Sequence, residues 1–415
     1  MKSIPSEVSV KFGKTTKTFK VIWEPLPHIL VKDSQKELHG WYVSQQKRKN
    51  SNEGYCSSGK RECTAERVLI NPYNGCSHRC SFCYTCNFRG YFELFLNHGL
   101  IAVFEDFHRS ISLQLDTVDV ISCGYLSPVT DPFQPLNARY RLSEKIIKEF
   151  VDQNIPIELV TKGNVSSEAI SLLKKQKHSF GQISILSLDE NLRQKLVPGG
   201  ATTKELLNNF LRLKEQGIFT VARIDPIIPL VTDDVQELKK LVKKLAVSGV
   251  NHVVASCLDL PWRTQQAVIK ALSEINPEVE SSYFGLYADK INGYYHANID
   301  YRKRLFSMVR ETCDNEGITF ALCMEYEVSQ GELKGLNREF SNVTNCEGID
   351  VPVYVRTGEK FEPIANCTGA CLNCFEPHCG IEDLAMIGPD TKKDWKLADY
   401  KRWSRQLFVR KKLVF

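Results

Sequence analysis

The chain has 415 residues, 42% of them hydrophobic and 25% charged, with a formal net charge of +5. This is enough apolar material for a large folded core, and it excludes a disordered chain. The mild basicity permits a nucleic-acid partner without requiring one. There is no run of 18 apolar residues, and residues 1–20 lack an apolar leader core, so the expectation is a cytoplasmic protein with no membrane span. In a reducing compartment its fifteen cysteines are read first as metal or cluster ligands.

Three regions follow in chain order. Residues 1–65 form a polar N-terminal extension in which Val8, Val10 and Phe12, then Phe19, Val21 and Trp23, alternate as short strands do. Residues 66–325 alternate apolar strands with amphipathic helices. The predicted strands are 68–71, 118–123, 155–161, 182–186, 219–224, 250–256 and 318–323. Helical stripes run through Leu142, Ile146 and Phe150, through Leu206, Phe210 and Leu213, and through Val235, Leu238, Leu241, Val242 and Leu245. Strand–helix alternation implies parallel strands and right-handed crossovers, so the fold class is α/β, a full or partial (β/α) barrel; an open doubly wound sheet is the alternative. In both, ligands gather at the C-terminal ends of the strands. Residues 326–415 break the rhythm and form a small cysteine-rich C-terminal domain.

The first strand runs into Asn71-Pro72-Tyr73-Asn74-Gly75-Cys76-Ser77-His78-Arg79-Cys80-Ser81-Phe82-Cys83-Tyr84. Thiolates at spacings of four and three residues can hold three irons of a [4Fe–4S] cubane and leave the fourth open. An open iron is what S-adenosylmethionine (SAM) chelates through its amino and carboxylate groups. Zinc is the competing ligand, with Cys86 or His78 as a fourth donor, and three unrelated buried cysteines are the bland alternative.

This segment matches the radical SAM signature Cys-x3-Cys-x2-Cys and more closely resembles the spore photoproduct lyase-related branch. The resemblance continues through Val129-Thr130-Asp131-Pro132-Phe133-Gln134-Pro135, Leu159-Val160-Thr161-Lys162, Ser184-Ile185-Leu186-Ser187-Leu188-Asp189 and Arg223-Ile224-Asp225-Pro226-Ile227-Ile228-Pro229. It implies that Cys76, Cys80 and Cys83 hold the cluster, that Phe82 lies near the adenine, and that Thr161 and Lys162 contact SAM. Arg223, on an apolar strand, is expected in a buried ion pair or a SAM contact. Asp131 either accepts from SAM or caps the turn that follows it. The related lyases carry a hydrogen-donating cysteine a few residues before this acid, and here no thiol occupies that place. Cys123 and Tyr84 are the remaining catalytic candidates, although Cys123 falls eight residues before Asp131, where a buried, inert thiol is the favoured reading.

A second group, Cys367, Cys371, Cys374 and Cys379, places four thiols within thirteen residues. It suits a second [4Fe–4S] cluster, with structural zinc as the alternative. Cys56 and Cys63 are expected as free thiols. The tail alternates Trp395, Tyr400, Trp403 and Phe408 with bases and is read as an amphipathic helix rather than a stacking platform for single strands. No phosphate-binding G-x-x-x-x-G-K-[ST] loop, dinucleotide fingerprint or nucleophile elbow is present.

The sequence therefore points to an enzyme that cleaves SAM reductively and abstracts hydrogen from a small-molecule or nucleic-acid substrate, with a nucleotide or nucleic-acid base as the leading candidate, fed by an electron donor such as flavodoxin or ferredoxin. A lyase-like DNA repair enzyme and a zinc-stabilised nucleic-acid-binding protein are the alternatives.

Overall fold

The computed structural model describes residues 4–12, 15–32, 39–41, 67–88, 92–291, 293–330, 332–369 and 394–396. Its centre is a parallel sheet whose strands lie side by side in chain order: β1 (Val68–Ile70), β2 (Gly124–Leu126), β3 (Ile157–Thr161), β4 (Phe180–Ser184), β5 (Phe219–Ile227), β6 (His252–Cys257) and β7 (Thr319–Leu322). The crossovers carry α1 (Phe107–Leu115), α2 (Leu142–Asp152), α3 (Ser167–Leu173), α4 (Thr203–Glu215), α5 (Val235–Val247) and α6 (Ile299–Asn315). This is a partial (β/α) barrel. Beyond β1 the sheet continues through an antiparallel strand, His39–Trp41, rather than closing onto β7.

The helices form where the sequence supplies both a stripe and a cap. In α4, Leu206, Phe210 and Leu213 recur at helical spacing and are buried. Thr202 and Glu205 complete a capping box at its start. In α5, Asp234 accepts from the backbone N–H groups of Gln236 and Glu237, and Leu238, Leu241, Val242 and Leu245 face the sheet.

One expected strand divides. Residues 118–123 do not form a barrel strand; Val120–Ile121 pairs antiparallel with Tyr354–Thr357, and the barrel strand is β2. Val118, Val120 and Ile121 are buried in this arrangement, so their hydrophobicity alone could not reveal which sheet they join.

The flanking regions pack back onto the barrel. His28–Val31 runs parallel to Ile101–Phe104, which pairs in turn with Tyr73–Asn74 at the head of the cysteine loop. At the opposite end, Glu347 enters the barrel interior, accepting from Arg67 at 2.7 Å and from Gln182 at 3.4 Å. Between β6 and β7 an insertion adds two helices and a small antiparallel sheet of Leu260–Pro261, Asp289–Ile291 and Tyr294–His296. No helix among the described residues is long and apolar enough to cross a membrane.

Candidate active site

The cysteine loop leaves the C-terminal end of β1 and is held from several sides. The Tyr73 hydroxyl donates to Asn137 Oδ1 at 2.8 Å, and Gln134 Oε1 accepts from the Ser77 N–H at 3.1 Å. Gly75 adopts φ +100°, a conformation that side chains rarely permit. Gly199 lies so close below the loop that a Cβ there would sit 2.1 Å from the Ser77 carbonyl oxygen. The loop is tied to that segment by Gly199 N–H to His78 O at 3.1 Å and Ser81 N–H to Leu196 O at 3.0 Å.

Asp131 joins this loop to the ends of β2 and β3. It is 5% exposed, and its two oxygens receive the Phe133 N–H (2.9 Å), the Thr161 hydroxyl (2.7 Å) and the Lys162 N–H (2.7 Å), with His78 Nδ1 at 3.2 Å. Burial alone would raise its carboxyl, but the His78 ring and the bonds from Lys162 and Thr161 outweigh burial and hold it below the ordinary carboxylate value. The bond from the Phe133 N–H is a cap on the turn that follows Asp131.

Cys76, Cys80 and Cys83 line one cavity with Phe82, Asp131, Thr161, Lys162 and Arg223. Burial pushes the Cys76 thiol up and that of Cys80 to about 12, whereas a hydrogen bond with Cys86 brings Cys83 down to about 6. Each of the three thiols is felt electrostatically by Cys86, so all converge on the same region. The donor set fits a [4Fe–4S] cluster: three soft thiols, largely shielded, on one wall of a cavity with room beyond them. Among the described residues no three His, Cys, Asp or Glu groups stand together as ligands to one ion.

The Lys162 ammonium lies 5.9 Å from the centre of the Phe82 ring, within cation–π range, and its charge reaches Cys80. Arg223 is buried; it pairs with Asp225 and donates to Gln182 Oε1 at 2.9 Å and to Cys323 Sγ at 3.1 Å. The Tyr84 hydroxyl, at the cavity rim, donates to the Pro128 carbonyl at 2.6 Å. Cys123 has no exposed surface. It packs among Phe180, Val221, Val254 and Val351 and is not among the residues that line the cavity. Burial raises its thiol well above the ordinary value. Such burial is what the reading of Cys123 as an inert core thiol expects. Cys367 is half-buried, with Sγ accepting from the Val353 N–H at 3.4 Å. Cys371, Cys374 and Cys379 lie outside the described residues, as do Cys56, Cys63, Tyr400, Trp403 and Phe408.

The far wall of the cavity escaped the sequence reading. It consists of Asp225, Ser256, Cys257, Asp259, Tyr294, His296, Cys323 and Glu325, from the ends of β5, β6 and β7 and from the β6–β7 insertion. The rule that ligands gather at strand ends would have pointed to Asp225, Asp259 and Glu325. No local signal marks His296.

A family profile described as the radical SAM superfamily matches residues 70–245. A radical SAM Nalpha-GlyT isomerase from Pseudomonas phage M6 is 30% identical over 410 residues, covering 93% of this chain and 81% of that protein. An uncharacterized protein of Mycobacterium bovis is 25% identical over 235 residues, covering 53% of this chain and 67% of its own length. Among solved structures, spore photoproduct lyase complexed with dinucleoside spore photoproduct aligns with a TM-score of 0.46 at 13% identity, over 61% of this chain and 76% of the lyase.

Proposed function

Because the chain belongs to the radical SAM superfamily, we propose that it is an isomerase: it cleaves SAM reductively at a cluster held by Cys76, Cys80 and Cys83 and rearranges a nucleotide or nucleic-acid base bound against the far wall of the same cavity. The observation that carries this reading is the shared cavity, lined both by the three thiols and by polar side chains from the ends of β5, β6 and β7. The isomerase assignment draws on the phage relative, which matches nearly the whole chain. The base assignment draws on the lyase resemblance of the motifs.

When bound, the cluster and SAM supply a 5′-deoxyadenosyl radical able to remove hydrogen from an unactivated carbon. The chain's own residues position and shield. Lys162 offers an ammonium to the carboxylate of SAM, and Phe82 offers an apolar face to its adenine. Asp131 fixes the cysteine loop against β3. In an isomerisation the hydrogen taken from one position is returned to another, so atoms and electrons balance without an external oxidant. The cluster still has to be reduced, which assigns a flavodoxin or ferredoxin as electron donor. The reading also assigns a second [4Fe–4S] cluster to Cys367, Cys371, Cys374 and Cys379, with zinc as the alternative ligand.

The test is anaerobic turnover with reductant, SAM and modified pyrimidine nucleotides, followed by mass spectrometry. A product of the same mass as its substrate supports an isomerase. A product that has lost or gained atoms overturns it in favour of oxidation or bond cleavage.

A further inference from the structure

The proposed chemistry leaves the apolar rim of the cavity unused. Exposed apolar side chains scattered singly carry no meaning. Tyr84 and Met324, however, are each 36% exposed and both line this one cavity. They come from opposite edges of the parallel strands: Tyr84 follows the cysteine loop after β1, and Met324 follows β7. Tyr294, half-buried on the β6–β7 insertion, and Pro128, after β2, line the cavity with them.

Several contacts hold this rim in place. The Tyr84 hydroxyl gives its hydrogen to the Pro128 carbonyl at 2.6 Å, and the Thr85 hydroxyl ties the same turn to the Val129 carbonyl at 3.2 Å. Phe88 meets the Tyr84 ring in a T-shaped contact, 5.6 Å between centres and 75° between planes. With its donor used and its ring braced, what Tyr84 offers a ligand is an aromatic surface. The Tyr294 ring is held to the same turn, because the Asn87 side chain donates to its hydroxyl and Asn87 ends the 3₁₀ turn that Tyr84 begins. Met324 and Ser127, the residue before Pro128, adopt φ of +55° and +61°, a left-handed conformation that residues other than glycine seldom take. Both line the cavity, and backbone strain of this kind gathers at ligand sites.

Resting on the reading that the substrate occupies this cavity, we infer that Tyr84 and Tyr294, with Met324 beside them, form a rim that takes a flat, unsaturated ring of the substrate by stacking. Aromatic faces and a polarisable sulfur both favour a conjugated ring over a saturated one of the same size. A nucleobase is such a ring.

The test is equilibrium binding to the anaerobically reconstituted full chain, with saturating SAM, of two probe pairs that differ only in ring unsaturation. They are thymidine against 5,6-dihydrothymidine, and benzyl alcohol against cyclohexylmethanol. In the second pair the saturated member is the more apolar, so burial alone would favour it. The unsaturated member of each pair is expected to bind about tenfold tighter, as stacking on an aromatic side chain allows. That advantage should collapse in Tyr84→Leu and in Tyr294→Leu, made as separate proteins and compared at equal SAM occupancy. It should survive in Tyr84→Phe and Tyr294→Phe, which keep the rings, and in Phe284→Leu, a 93% exposed position outside the cavity lining. Equal binding, or none, in both pairs overturns the inference. So does a preference that persists in both leucine variants, or one lost equally in the phenylalanine variants, since the hydroxyls would then be responsible. A preference seen only without SAM overturns it too, because the rim would then be the seat of SAM's own adenine. A preference in the benzyl pair with no binding of either nucleoside upholds the stacking rim and removes the nucleobase from the proposed function.

Discussion

Asp131→Asn tests how the cysteine loop is positioned. The substitution keeps shape and removes one acceptor from a buried group that serves four donors. Whichever oxygen becomes the amide nitrogen, a buried backbone N–H loses its acceptor: that of Phe133 on one side, that of Lys162 on the other. An unsatisfied buried donor costs about 1–3 kcal/mol, and loss of the charged partner to His78 adds roughly 1 kcal/mol more, giving a destabilisation of about 2–4 kcal/mol. Because the Asp131 carboxyl is held below its ordinary value, its contribution is complete near neutral pH and is lost only as pH falls through the lowered value. Urea unfolding near neutral pH, with iron counted per chain, is the assay. The expected result is a lowered midpoint and reduced cluster retention, with SAM affinity unchanged per cluster retained. A variant as stable as wild type and fully loaded with iron, but with weakened SAM binding, would refute the reasoning and make Asp131 a SAM ligand.

Gly199→Ala should force the backbone under the cysteine loop apart and reduce iron loading, at a cost of roughly 1–3 kcal/mol, because the added Cβ meets the backbone at Ser77. Gly285→Ala, where nothing lies within 4 Å, should leave iron content and melting temperature as they are. Arg67→Met should destabilise the chain by about 3–5 kcal/mol in chemical denaturation, since it leaves the buried carboxylates of Glu158 and Glu347 without the guanidinium between them. Stability within experimental error of wild type would show that the Glu347 segment does not depend on that pair. Cys123→Ala should change stability by roughly 1 kcal/mol and leave the product unaltered. A changed product in mass spectrometry would restore Cys123 as a participant and favour lyase-like chemistry.

What could be read from the sequence was local. Cys76, Cys80 and Cys83 lie within one loop, so their spacing and the motif around them could be read together, although spacing alone left zinc open. The barrel was legible because each helix carries its own apolar stripe, as in Leu206, Phe210 and Leu213, and each later strand its own apolar run. What was hidden depends on contacts between distant segments. His78 and Asp131 meet across 53 residues of chain, so neither pattern predicts the other. Gly199 matters because Ser77 passes over it, a fact about tertiary approach rather than turn chemistry. His296 lines the cavity from an insertion that carries no motif, so only the fold places it there. The strand expected at 118–123 failed because a buried apolar run satisfies either of two sheets, and the choice was made by Tyr354–Thr357 from far down the chain.

In the proposed function Cys76, Cys80 and Cys83 hold a cluster that cleaves SAM. The most direct test of this counts iron and sulfide per chain and measures 5′-deoxyadenosine formed from SAM and reductant, in the anaerobically purified protein and in the triple variant Cys76→Ala, Cys80→Ala, Cys83→Ala. The variant is expected to lose about four irons and all 5′-deoxyadenosine formation. A wild-type protein that stays colourless and iron-free after anaerobic reconstitution, or a triple variant that still cleaves SAM, would contradict it.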